Sequence, residues 1–131
     1  MKTVTLTAGT LLTGLLIMTA CSNNQLADYN PEVTNAPDNF QLQATNISDV
    51  TEILEYAWSN SAAIANIDQS CAITGGEAQL TLLDPNGTQV YTRNLAENGS
   101  FVSDTGSAGN WTIKLELTNT DGTINFRVQK H

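Results

Sequence analysis

Two cysteines, one histidine and thirteen carboxylates are the residues of this 131-residue chain with chemistry to offer. Cys21 closes an apolar run, Leu15-Leu16-Ile17-Met18-Thr19-Ala20, that ends on small residues, a pattern of membrane delivery with a mature form beginning at Cys21. Cys71 alternates with Ile67 and Ile73 and has no base or cation beside it in sequence, which predicts a buried, inert thiol rather than a nucleophile. His131 is the last residue, with nothing to fix its tautomer. A Ser/His/Asp or Cys/His apparatus and a histidine-based zinc site are therefore excluded. Paired carboxylates could serve glycoside hydrolysis, but a domain this small offers little room for the cleft that such a pair flanks. Asp84-Pro85-Asn86-Gly87 and Asn119-Thr120-Asp121-Gly122 lack the ligand density of a calcium loop and read as hairpin turns. No catalytic residue, metal ligand or cofactor is implied.

The aromatic residues offer contact rather than reaction. Trp111 belongs to the apolar face of an alternating segment and is expected in the core. Trp58, beside Ser59-Asn60-Ser61 at a strand end, is the better candidate for stacking on a sugar or a partner protein, with Tyr56 and Tyr91 as further possible ligand contacts.

Composition narrows the partners. The formal net charge is −8, so nucleic acid is excluded as a partner, and loss of Lys2 with a leader would make it −9. Nine acids and no base occupy residues 21–92, whereas four acids and four bases share residues 93–131. The acidic portion reads as a solvated surface that keeps an exported protein soluble and away from anionic headgroups, with cation binding as the alternative.

Lys2 and the threonine-diluted apolar segment that follows are too short and too broken by Gly9 and Gly14 for a permanent membrane span, and fit a signal peptide over residues 1–20. Met18-Thr19-Ala20-Cys21 resembles the lipobox of bacterial lipoproteins, with methionine where leucine is common. The resemblance implies a diacylglycerol on Cys21 and an acylated amine. At ~0.8 kcal/mol per buried methylene, two or more chains give stable anchoring where one does not. Ser22 in place of the aspartate that retains such proteins at the inner membrane implies the outer membrane in a Gram-negative cell.

Residues 21–45 are polar, amide-rich and carry Pro31 and Pro37, so they are expected to form a flexible tether, with Phe40 and Leu42 as the alternative start of a first strand. From residue 46 to 131 the apolar period is two. Trp111, Ile113, Leu115 and Leu117 alternate with polar residues, as do Ile124, Phe126 and Val128. Val50, Leu54, Tyr56 and Trp58 share one face of a segment that could also be a helix, but its β-branched and aromatic residues favour strand. About seven short strands are expected, forming a small antiparallel β-sandwich. Ala108-Gly109-Asn110-Trp111-Thr112-Ile113-Lys114-Leu115 and the Gly122-led final strand resemble the immunoglobulin-like and prepeptidase C-terminal β-sandwich modules of bacterial surface proteins. That resemblance implies an accessory or binding role. The expected protein is a non-enzymatic envelope lipoprotein that adheres to or binds a protein. A carbohydrate- or cation-binding module and an accessory subunit of an envelope complex are the alternatives.

Overall fold

Two strands of 22 residues each dominate the architecture, and both are longer than the alternating runs in the sequence that mark them. The computed structural model describes residues 25–131. A 3-10 turn, Leu26–Tyr29, precedes β1 (Glu32–Ala36) and β2 (Asn39–Asn60). Then come β3 (Ala65–Gln69), β4 (Ala72–Leu83), β5 (Gln89–Asn94), β6 (Gly99–Val102) and β7 (Gly109–Lys130). All pairings are antiparallel: the order β1-β2-β7-β3-β6 forms the main path, and β4 joins β7 with β5 on its outer side. The expected all-β class and count of seven strands hold among the described residues.

One sheet makes both layers because its long strands double over. β2 and β7 pair along their whole length, and their register slips three times between residues 44 and 52 of β2. Asn46, Asp49 and Asn119 take left-handed backbone angles at the bend, as do Gly76 and Gly122. Each extra residue at a bulge bends the strand and adds twist. A side chain on Gly76 would collide with the Asn119 carbonyl, so the bend also needs glycine there for close approach of β4 to β7. After the bend, residues 52–60 of β2 lie over residues 39–44 of the same strand. Phe40 and Tyr56, from opposite halves of β2, bring their ring centroids to 5.1 Å.

The core lies between the two halves. Phe40, Leu42, Ile67, Phe126 and Val128 come from one layer, and Trp58, Leu80, Leu82, Trp111, Ile113 and Leu115 from the other; each is at most 1% exposed. The two indoles meet edge to face with centroids 6.0 Å apart, a preferred geometry for aromatic pairs.

Two sequence expectations need correction. Residues 25–45 do not form a tether: Leu26, Phe40, Leu42 and Ala44 are buried, because Gln41 and Gln43 make up the polar face of a strand. Asn119-Thr120-Asp121-Gly122 does not reverse the chain. Its positive-φ residues bend β7, which runs on to Lys130. Gly75-Gly76, two residues that could make a turn, also lies inside a strand, β4. The Asp84-Pro85-Asn86-Gly87 hairpin is present, with Asp84 Oδ1 accepting from the Asn86 and Thr88 amides at 2.9 and 3.0 Å.

Candidate functional site

The doubled strands give the molecule two unlike poles. At the bent pole lie the bulges of β2, β4 and β7. At the open pole the strand ends meet: Asp38 accepts two hydrogen bonds from Ser61, and Lys130 lies 4.0 Å from the same carboxylate. The hairpin at Pro85 packs there too, since Pro85 stands against Gly109.

Bulges leave backbone groups without ladder partners, and polar side chains at the bent pole take their place. The Asp49 amide donates to Asp121 Oδ1 at 2.7 Å, and Asn119 Nδ2 donates to Asp49 Oδ1 at 2.9 Å. The amides of Asn119 and Asn46 donate to the hydroxyls of Thr51 and Thr123 at 2.8 and 3.2 Å. An open depression of about 500 Å³ lies among Asn46, Ser48, Thr74, Asp121 and Thr123. Its one lining carboxylate, Asp121, is engaged in stitching the bend through the Asp49 amide. Among the described residues no group of three or more His, Cys, Asp or Glu side chains converges.

The N-terminal turn docks at this pole. Leu26 is fully buried, its amide donates to Glu52 Oε1 at 2.9 Å, and the Tyr29 hydroxyl donates to the Ser48 carbonyl at 3.1 Å. These residues escaped the sequence reading because they sit in a polar stretch. The one signal they leave is Leu26 and Tyr29 at the spacing of a single turn.

The expected contact residues are not brought together. Cys21 lies outside the described residues. Trp58 is 1% exposed and its indole N–H donates to the Ala36 carbonyl at 3.1 Å. The ring is core, out of reach of a ligand. Tyr56 is half-buried against Phe40, and burial, with the Glu52 charge second, raises its phenol above the usual value. Tyr91 is on β5, buried, with its hydroxyl donating to Gln69 Oε1 at 2.7 Å, and burial pushes its pKa to about 12. Ser59 and Ser61 are exposed beside it, as their polarity suggests, but strand alternation turns the Trp58 ring inward against Trp111.

Cys71 is buried and free, with Sγ accepting from the Asn125 amide at 3.3 Å, and burial raises its thiol pKa. His131 Nδ1 lies 2.8 Å from Asn66 Oδ1 at the exposed chain end. On the β5–β6 side, the Arg93 guanidinium stacks 3.9 Å above the Phe101 ring and pairs with Glu97 at 2.7 Å, leaving Val102 exposed alongside.

No protein-family model matches the chain, and no curated protein matches it. Among solved structures, procruciferin, an 11S globulin from Brassica napus, shares 13% identity at a TM-score of 0.36. The match covers 69% of this chain and 19% of the globulin chain. The accessory secretory protein 1, 2 and 3 structure from Streptococcus pneumoniae shares 12% identity at a TM-score of 0.40, covering 88% of this chain and 99% of that one.

Proposed function

We propose that the protein is a lipid-anchored envelope lipoprotein that presents its β-sandwich for adhesion or protein interaction, without catalysis. The carrying observation is the run Leu15-Leu16-Ile17-Met18-Thr19-Ala20-Cys21, whose cysteine follows small residues at the end of an apolar segment. The resemblance of the domain to β-sandwich accessory modules supports the binding role. The engaged state of the bent-pole carboxylates suits structural rather than reactive use. Two acyl chains on Cys21 would hold the protein at the membrane.

Metabolic labelling with a fatty-acid analogue tests the anchor. The wild type should take up label and fractionate with membranes, and Cys21→Ala should lose the label and appear in the medium. An unlabelled wild type overturns the reading. Pull-down from detergent-solubilised envelopes then tests the interaction role, with a reproducible envelope partner as the expected result.

A further inference from the structure

We infer that the bent pole of the sandwich is held against the phospholipid surface and that the open pole is the one presented outward. This rests on lipidation of Cys21 and adds an orientation to it.

The argument is one of chain length and of where the chain docks. Leu26 is fully buried and its amide is bonded to Glu52, while Tyr29 is bonded to the Ser48 carbonyl, so the chain enters the fold at a fixed place beside the β2 bend. Only residues 22–24 separate Cys21 from Gln25. At ~3.3–3.6 Å per residue these four steps reach at most ~14 Å. A tether of 24 residues would leave the domain free to tumble; one of this reach does not. From the bend, each half of β2 runs on the order of 25 Å to the open pole at ~3.4 Å per residue. The bent pole is therefore kept within the anchor's reach of the bilayer, and the open pole, on the order of 25 Å further along the strands, is under no such constraint.

The chemistry of the bent pole fits a zwitterionic headgroup layer. Its polar bend residues are amides, hydroxyls and the carboxylates Asp49, Glu52, Glu77 and Asp121, with no lysine or arginine among them, and Ile53 close by is 64% exposed. Charge does not draw this pole to the membrane, so the short connection must hold it there. The Asp84-Pro85-Asn86-Gly87 hairpin and the Asp38–Ser61 junction are left facing outward.

The test uses the lipidated protein in phosphatidylcholine vesicles carrying a headgroup spin label. A fluorophore is placed by Ile53→Cys near the bent pole or by Asn86→Cys at the open pole, under native conditions that keep Cys71 buried. Quenching should be about threefold or more stronger at position 53 than at 86, given the ~25 Å between the poles. Equal quenching, or stronger quenching at position 86, overturns the orientation while the lipid stands. Mass spectrometry of the same sample separates the two ideas, because a chain without the diacylglyceryl mass overturns the anchor and the orientation together. Inserting a long Gly-Ser segment after Ser22 should bring the ratio towards one, and a ratio unchanged by the insertion overturns the role given to the short connection.

Discussion

Asp38 and Ser61 close the doubled β2 strand upon itself: the Ser61 amide and hydroxyl donate to the two Asp38 oxygens at 2.7 and 2.8 Å, across 23 positions of sequence. The amide bond is the main reason the Asp38 carboxyl is held below its ordinary 3.8, with the hydroxyl bond second. Asp68 is lowered too, chiefly by the Ser100 hydroxyl and then by Arg127. A lowered folded-state pKa contributes stability that is full above the unfolded value and is lost as pH falls through the folded one. Thermal melts should therefore show stability declining as pH drops below 3.8, the ordinary value. Asp38→Asn should be less stable at neutral pH and less sensitive to acid, with Asp68 keeping part of the slope. An unchanged acid slope in Asp38→Asn would count against this account.

Leu26 tests where the domain begins. As part of a flexible spacer its truncation would cost nothing, but as a fully buried side chain it should cost. Leu26→Ala is expected to destabilise by about 2–5 kcal/mol in urea unfolding, the range for truncating a buried leucine. Val33→Ala is the comparison, since Val33 is 40% exposed and its change should be small. Equal effects at the two positions would return residues 25–45 to the role of a tether.

How much could be read from the sequence turned on whether alternation stayed in phase. Trp111, Ile113, Leu115 and Leu117, and then Ile124, Phe126 and Val128, are buried as their spacing implied. Between the two sets the parity changes. A hairpin and a bulge both produce that change, and both call for residues that accept positive φ. Asn119 and Gly122 therefore gave no means of choosing, and the choice was made by long-range pairing with β2 and β4. β2 was harder still. Its buried positions run Phe40, Leu42, Ala44, then Ile47, then Val50, so the phase changes twice within a few residues. Phase breaks of that kind look like loop, and amide-rich outer positions complete the resemblance to a spacer. The docking of Leu26 depends on Glu52, 26 positions away, which no local pattern reports.

Trp111 anchors the second layer. It is fully buried, its indole N–H donates to the Ser107 carbonyl at 2.7 Å, and its ring meets Trp58 edge to face. Trp111→Ala should cost about 3–5 kcal/mol. Trp111→Phe keeps an aromatic ring but leaves the Ser107 carbonyl without its donor, and should cost less. Chemical denaturation with far-ultraviolet circular dichroism measures both, and a near-neutral Trp111→Ala would remove the indole pair from the core.

Cys71 should be silent in the native state. Its sulfur sits between the Asn125 amide and carbonyl, 3.3 and 3.4 Å away, and burial raises the thiol pKa. Little thiolate is present to react near neutral pH, and access is poor. A thiol reagent should modify the position at least tenfold faster in denaturant than in buffer, on the usual dependence of reactivity on thiolate and exposure. Comparable rates would mean that the strand junction between β3 and β4 opens readily.

Tyr91 and Gln69 form the polar tie that the apolar pattern could not announce. Gln69 is 3% exposed; its Oε1 accepts from the Tyr91 hydroxyl at 2.7 Å and its Nε2 donates to the carbonyls of Asn94 and Glu97 at 3.1 and 2.8 Å. The side chain thus joins β3 to the end of β5 and the turn beyond. Tyr91→Phe keeps the ring and leaves Gln69 Oε1 unpaired, which should cost about 1–3 kcal/mol for a buried acceptor without a donor. The pH dependence has the opposite sign to that of Asp38. Burial raises the Tyr91 phenol from 10.0 to about 12, so its contribution is full below 10.0 and is lost as pH rises through about 12. Titration of the tyrosinate absorption band should show a late component in the wild type that is missing from Tyr91→Phe. Indistinguishable titration curves for the two proteins would place the Tyr91 hydroxyl in water rather than against Gln69.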